Sequence, residues 1–496
     1  MTNESYRPRF HVTPARNWMN DPNGLVFVDG LAHVFFQYNP EGADWGNMSW
    51  GHATSPDLVT WTERPVALPY SAREQVFSGS VVVDHGNTSG FGDRAGAGAG
   101  AEAAPPLVAV YTSVDGAGRQ TQALATSVDS GRTWHPYAGN PVLDRGSREF
   151  RDPKVFRAAD RHGRERWVMV AVEAVDRQVL VYSSDDLRSW THESTFGPIG
   201  PDGVVWECPD LFPLDVDGDP EGRRWVLLLS FNPVGDGVDA DDAAEGSSMV
   251  AVIGDFDGHR FTPDDGDRWD RLDHGRDLYA GVTFDNEPDG RRIMLGWMGN
   301  WRYQAAIPTQ PWRGAMSLPR ELELRTIDGV VRLVQSPVVE VEPLESAEPG
   351  DLPTPTPIEG RQRIATGRHF ALDLEWQVHD AAEVGIDLLV GDGAAVRLAY
   401  DVGRRELRLD RTRSCSMSTP SPVGRPSGPN SIWTVPSGIG RPKAATRSSG
   451  ARTVATSVVM PSASWTKVGS PSSVTASRNP VGSPAKPPRI DAGMPT

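Results

Sequence analysis

The chain has 496 residues, 38% of them hydrophobic and 23% charged, with a formal net charge of −16. That length exceeds one ordinary core and predicts a large domain plus a smaller one. The acidic balance excludes a polyanion binder, because no basic stripe is present to neutralise phosphates, and no apolar run approaches the roughly 20 residues of a membrane helix. A neutral ligand such as a sugar suits this charge. The 16 tryptophans, against nine tyrosines, offer flat faces for sugar rings, although core filling accounts for most of them. The opening MTNESYRPRFHVTP has neither the basic start nor the apolar stretch of a secretion signal, and the two cysteines, Cys208 and Cys415, make no disulfide framework. The expectation is a soluble cytoplasmic protein with no nucleic-acid or membrane partner.

Up to about Leu333, short apolar runs such as GLVFVDGLAHVFFQYN, LVAVYTS, WVMVAVE, QVLVYSS and WVLLLSF alternate with Gly, Pro, Asn and Asp. Such runs read as strands of an all-β domain, and no amphipathic helix is evident. Four of them end in a polar turn with an Asp followed by an aromatic: HATSPDLVTW, LATSVDSGRTW, VYSSDDLRSW and VIGDFDGHRF. The turn aspartates are taken as Asp57, Asp129, Asp185 and Asp255, spaced by 72, 56 and 70 residues, each enough for one four-stranded sheet. That period predicts a β-propeller of five blades, counting the unassigned chain at both ends, with a sandwich of ordinary hairpins as the alternative.

Residues 91–106, 215–224 and 235–246 look like surface insertions, and the aspartates of the last two fit solvated turns better than a calcium loop. The predicted boundaries are a catalytic propeller at 1–335, a Pro- and Glu-rich linker at 336–358 and a partial β-sandwich at 359–413, where HFALDLEWQV, EVGIDLLV, AVRLAYDV and ELRLDRTR alternate apolar and polar residues. Residues 414–496 contain no Glu and one Asp, Asp491, and are rich in Ser, Pro, Thr, Gly and Arg. They are predicted to be a disordered tail, and the switch inside a strand-rich domain suggests a shifted reading frame.

Three acidic residues stand in constrained surroundings. Asp21 lies in NWMNDPNGLVF, where Asn-Asp-Pro-Asn-Gly forces a turn at a strand entrance. Asp152 lies in SREFRDPKVF beside Arg151, and Glu207 in VVWECPDLF between Trp206 and Cys208, an apolar setting that suits a general acid. Alone, each has a bland reading: a turn former, a surface ion pair, a Glu satisfied by a nearby Arg. His11, His33 and His52 read as isolated structural residues, and no metal-ligand set is visible.

WMNDPNG, FRDP and WECPDLF, in that order, resemble the three signature motifs of glycoside hydrolase family 32, the invertase, levanase and exo-inulinase family. FFQYNP, WGNMSWGH, VFSGSVV and GWMGNW extend the resemblance over residues 8 to about 325. It implies a five-bladed β-propeller followed by a β-sandwich, with no cofactor. It also implies a nucleophile at Asp21, an acid/base at Glu207 and, at Asp152, a transition-state stabiliser that holds fructose hydroxyls. Trp18, Asn20, Gln37, Trp45, Phe77, Ser78, Arg151 and Trp297 would line the fructose pocket, and Cys208 would serve packing. The stretch GWMGNWRYQAAIPTQPWRGAMSLPREL looks more like levanases and exo-inulinases than sucrose-6-phosphate hydrolases. The resemblance therefore implies a retaining glycoside hydrolase that frees terminal fructose from fructans, fructo-oligosaccharides and sucrose. The alternatives are a sucrose or sucrose-6-phosphate hydrolase, a fructosyltransferase, an inverting arabinan hydrolase and a sugar-binding propeller without turnover.

Overall fold

The computed structural model describes residues 6–92, 104–234, 246–344, 357–366, 371–391, 394–413, 431–434, 452–459 and 473–480. The chain divides into two compact units, the first Met1–Glu345 and the second beginning at Ser346.

The first unit is a five-bladed β-propeller. Its first blade is β1 (Asn17–Val28), β2 (Leu31–Asn39), β3 (Ser49–Ser55) and β4 (Thr62–Leu68). The second is β5 (Glu74–Val83), β6 (Leu107–Asp115), β7 (Gln120–Ser127) and β8 (His135–Pro136), and the third β9 (Phe150–Ala159), β10 (Glu165–Glu173), β11 (Gln178–Ser184) and β12 (Thr191–Phe196). The fourth is β13 (Val204–Val216), β14 (Asp219–Pro233), β15 (Ser248–Phe256) and β16 (Phe261–Pro263), with β17 (Asp270–Arg271) added beside β15. The fifth pairs β18 (Tyr279–Thr283), β19 (Ile293–Trp297), β21 (Arg320–Ile327) and β22 (Val330–Pro337) in that order. The short β20 (Trp312–Arg313) runs parallel to β1 and closes the ring, Asn17 opposite Trp312. A single parallel bridge, Val216 to Leu324, ties the fourth blade to the fifth.

The core is not one centre but five wedges, each filled from two neighbouring blades. Val26, Phe35 and Trp50 meet Val81 and Ala109 between blades one and two. Val110 meets Met169 between two and three, Val170 meets Leu229 between three and four, and Leu228 meets Met294 between four and five. Met19 and Phe36 meet Tyr279 and Leu295 where the fifth blade returns to the first. Burial on both faces explains why β10 and β14 read as unbroken apolar runs. The outermost strand β4 faces solvent and reads TERPVAL.

The Asp-and-aromatic repeat falls at the turn between the third and fourth strands of blades one to four. Asp57 Oδ1 accepts from the amides of Val59 and Thr60, and Asp129 Oδ1 from those of Arg132 and Thr133. In the third blade the equivalent acceptor is Asp186, bound by Arg188 and Ser189, and in the fourth Asp257, bound by His259 and Arg260. The acceptors thus lie one residue beyond the expected Asp185 and two beyond the expected Asp255, because aspartates one or two positions apart are interchangeable in a string. Asp185 instead pairs with Arg164 and Arg166 on the surface. The closing Trp61, Trp134 and Trp190 each donate from Nε1 to the carbonyl three residues back. The fifth blade lacks the repeat because a two-residue hairpin, Asp328–Gly329, with both residues at positive φ, joins β21 to β22.

Residues 215–224, expected to be an insertion, form the tight β13–β14 hairpin, while 93–103 and 235–245 lie outside the described residues. The predicted linker starts too early: β22 runs to Pro337, and Val338 and Val341 pack into the wedge between blades five and one.

The second unit holds β23 (Arg361–Thr366), β24 (Ala371–Val378), β25 (Ala381–Gly391), β26 (Ala394–Asp401), β27 (Glu406–Arg413), β28 (Ser431–Thr434), β29 (Arg452–Val459) and β30 (Ser473–Pro480). A six-stranded sheet runs β23-β30-β25-β26-β27-β28 and a two-stranded sheet pairs β24 with β29. Trp376 of β24 packs against both apolar clusters of the larger sheet, so the two sheets face each other as a sandwich. The last three strands belong to the stretch expected to be disordered, and the sandwich therefore does not stop at Arg413. Backbone pairing holds these strands in the sheets and needs no long apolar periodicity, which is why composition did not show them. The remainder of 414–496, with Cys415, lies outside the described residues.

The turn register is testable by urea denaturation of the propeller. Asp186→Ala should lower stability by ~1–2 kcal/mol, the loss typical of a side chain that caps turn amides. Asp185→Ala should cost less than about 0.5 kcal/mol, as exposed ion pairs do.

Candidate active site

Each blade presents its innermost strand to the axis, and each of these five strands is broken by a bulge. The breaks fall between Met19 and Pro22 in β1, Val76 and Gly79 in β5, Arg151 and Lys154 in β9, Glu207 and Asp210 in β13, and Tyr279 and Val282 in β18. Three contain or adjoin an X-Pro pair: Asp21-Pro22, Asp152-Pro153 and Cys208-Pro209. Proline has no N–H for the ladder, so pairing must skip a step, and a bulge re-aims the side chain before it. Asp152, Cys208 and Ala280 have φ of 62°, 47° and 53°, a left-handed backbone that the surrounding sheet must hold in place.

The bulges bring Asp21, Asp152 and Glu207 together. Asp21 Oδ1 accepts from Asn20 Nδ2 at 3.0 Å, and Oδ2 accepts from Ser78 Oγ at 3.0 Å and from Cys208 Sγ at 3.7 Å. The same thiol lies 3.6 Å from Asp152 Oδ2, which also accepts from the Cys208 amide at 2.9 Å. The Asp152 amide donates to Thr112 Oγ1. Glu207 is gripped at both oxygens, by Arg151 Nη2 at 3.2 Å from Oε1 and by the Tyr279 hydroxyl at 2.5 Å from Oε2.

Burial pushes the Asp21 carboxyl up to about 6, the Glu207 charge adds to this, and the Asn20 and Ser78 hydrogen bonds oppose it. Burial likewise raises Asp152, against the pull of Arg151 and with the repulsion of Glu207 and Asp21. Burial, then the carboxylates, push the Cys208 thiol far up, so it stays protonated and acts as a donor. Burial and the Glu207 charge do the same to the Tyr279 phenol. For Arg151, burial disfavours the cation, but the charges of Glu207 and Asp152 outweigh it.

The other predicted residues divide by distance from this cluster. Asn20 relays between Trp18 Nε1 and Asp21. Gln37 is turned to the Val76 carbonyl and supports the bulge of β5. Trp45, 48% exposed, meets Phe77 edge-on with ring centroids 6.0 Å apart, and so stands at the rim. Trp297 is 0% exposed and sits among Trp18, Trp301 and Tyr279, behind the carboxylates rather than at an open surface.

Glu207 does not meet the apolar setting that its neighbours suggested. Strand alternation sends Trp206 into the wedge between blades three and four and leaves the carboxylate to Arg151 and Tyr279. Tyr279, Glu149 and Gln120, the last two bound to Arg151 at 2.8 and 3.4 Å, had no sequence signal. In LYAGVTF a tyrosine reads as a core aromatic, and an acid two residues before an arginine reads as a surface pair. Cys208, assigned to packing, lies in the apolar wedge between blades five and one and also joins two of the carboxylates through its thiol. His33 and His52 are not isolated: they stack and share a 3.1 Å hydrogen bond. Among the described residues no group of three or more His, Cys, Asp or Glu is placed to hold a metal ion.

Residues 11–337 match the glycosyl hydrolases family 32 N-terminal domain. The chain is 44% identical over 422 residues to a levanase of Bacillus subtilis, an alignment covering 83% of this chain but 59% of that protein. It is 38% identical over 453 residues to an extracellular exo-inulinase of Aspergillus ficuum, covering 84% of this chain and 81% of the relative. The exo-inulinase of Aspergillus awamori superposes with a TM-score of 0.76 at 31% identity, over 97% of this chain and 99% of that one. The β-fructofuranosidase of Schwanniomyces occidentalis, complexed with fructosyl-erythritol, superposes with a TM-score of 0.70 at 32% identity, over 83% and 81%. With its carboxylates on the bulged inner strands of a five-bladed propeller, the chain belongs to glycosyl hydrolase family 32.

Proposed function

We propose that the chain is a retaining β-fructosidase that releases terminal β-D-fructose from fructans, fructo-oligosaccharides and sucrose. The observation that carries this reading is the convergence of Asp21, Asp152 and Glu207 from three blades, the Cys208 thiol joining the first two and Arg151, next to Asp152, gripping the third. Asp21 attacks the anomeric carbon while Glu207 protonates the departing oxygen. Glu207 then takes a proton from water, which attacks the same carbon and frees Asp21. This double displacement needs the two carboxyl groups about 5–5.5 Å apart. Burial and then the Glu207 charge raise the proton affinity of Asp21, as expected of two carboxyl groups that share a site.

Asp152, fixed through its amide and Oδ2, is assigned to the fructose hydroxyls, where a charge-assisted hydrogen bond strengthens as positive charge develops on the ring. Trp45 offers an aromatic face at the rim for the next sugar. The guanidinium in contact with the acid/base, Arg151, is already shared between Glu207 and Glu149, which favours a neutral sugar over a sugar phosphate.

Asp21→Ala and Glu207→Ala should each lose ~10³-fold or more in turnover on sucrose, inulin and levan. Anomeric NMR of the wild-type reaction should show β-fructose first; α-fructose first would overturn the retaining mechanism.

Because the nucleophile must be ionised, kcat/KM should fall on the acid side with an apparent pKa near 6, a value belonging to the interacting cluster. Ser78→Ala removes one stabilising donor and should move that limb to higher pH by ~0.5–1 unit. A limb unchanged in Ser78→Ala would disprove the role of this bond.

Stability has the opposite sign. Between 3.8 and about 6 the folded chain keeps a proton on Asp21 that the unfolded chain has lost, so stability declines as pH rises through that window. Asp21→Asn should therefore be more stable than wild type by ~1–3 kcal/mol at pH 7.5. The gain should vanish below the unfolded-state value, as melting curves across pH can check.

A further inference from the structure

Directly beneath the carboxylates, where the ladders resume after the bulges, lies a second buried polar tier. Gly79 N donates to Asn23 Oδ1 at 3.1 Å, joining blades one and two. Ser80 Oγ donates to the Pro153 carbonyl at 2.9 Å and accepts from Val155 N at 3.0 Å, joining two and three. Lys154 Nζ lies 3.3 Å from Asp210 Oδ2, joining three and four, and donates at 2.5 Å to the Thr283 carbonyl in blade five. Thr283 N donates to Asp210 Oδ2 at 2.6 Å, joining four and five, and Asp285 exchanges backbone bonds with Leu25 and Phe27 to return to blade one. Every junction of the ring is thus crossed by a hydrogen bond beyond the bulges.

Lys154 and Asp210 are the charged cross-link between the strands that bear Asp152 and Glu207. Lys154 is 7% exposed and Asp210 0%. They are the first residues to pair normally after the bulges of β9 and β13, opposite Val170 and Leu228. These strands lie in different sheets, so no ladder sets the height of one against the other. A buried ion pair is weak support for stability, because desolvation offsets most of its attraction, but its geometry is demanding.

We propose that the Lys154–Asp210 pair is a positioning device that sets the axial height of Asp152 and Glu207 relative to each other and to Asp21. The proposal rests on the reading of these three residues as a catalytic set. Lys154 and Asp210 touch no substrate and act only through the strands they lock and through their charge. Asp285 and Arg292 complete the group from the fifth blade: burial disfavours the charge on each, Lys154 and Arg292 favour it on Asp285, and Asp210 and Asp285 favour it on Arg292. Asp21 itself is faced by Ser78 from β5, Asp152 from β9, Glu207 and Cys208 from β13 and Tyr279 from β18, so its titration reports any net charge left below.

The test is Lys154→Met, Asp210→Asn and the double variant, assayed on sucrose for kcat, KM and the pH profile of kcat/KM, with melting temperatures. Lys154→Met should lose ~10–100-fold in kcat with KM within about threefold, the loss expected when reacting groups shift by about 1 Å. It leaves a negative charge below the cluster and should move the acid limb up by about half a unit, while Asp210→Asn moves it down. The double variant should recover melting temperature but not kcat. A purely structural pair would predict recovery of both, with no opposed pH shifts, and that result overturns the proposal. If Lys154→Met does not fold, Asp210→Asn and the double variant decide by the same criteria. An active wild type with indifferent variants refutes the positioning role alone; an inactive wild type refutes the β-fructosidase reading and this inference with it.

Discussion

The structure depends on the places where proline withdraws a hydrogen-bond donor from an innermost strand. At Pro22, Pro153 and Pro209 the ladder cannot be completed, the strand bulges, and the preceding residue turns toward the axis. At these bulges the innermost strands are paired on one side only, so they can carry interruptions there that a middle strand could not. The same residues that weaken the sheet thereby aim Asp21, Asp152 and Cys208 at one another.

Bringing carboxyl groups together in a partly dehydrated funnel raises the proton affinity of Asp21 and Asp152. The surrounding donors limit that rise without removing it. Asn20, Ser78 and the Cys208 thiol hold Asp21, the Cys208 amide holds Asp152, and Arg151 with Tyr279 holds Glu207. Cys208 is suited to its place because its burial among carboxylates keeps the proton on sulfur, making it a weak donor to two acceptors at once. The cluster is therefore a point of local instability, held by five wedges of close-packed side chains between the blades.

Much of this was legible in the chain itself. Apolar runs of strand length identified the all-β class, and the Asp-and-aromatic turns marked the blade period, since both signals are local and repeat in each hairpin. The fifth blade was invisible to that count because a two-residue Asp328–Gly329 hairpin does the work of the longer turn. Asp186 and Asp257 were missed for their neighbours because a turn motif specifies an acceptor near a position, whereas the register of amides around it emerges only on folding. The strands at 452–459 and 473–480 lacked an apolar alternation to announce them.

The sequence by itself determined which residues could do chemistry: carboxylates one or two residues before a proline, near strand entrances, in an order that a known family shares. Only the tertiary structure decided how they meet. Tyr279 on Glu207, Cys208 between Asp21 and Asp152, and Lys154 against Asp210 join residues 56 to 187 positions apart. Such contacts leave no local signal because the partners belong to different blades. Closing the ring of sheets brings the five inner strands side by side, and that closure is a property of the whole propeller rather than of any segment of it.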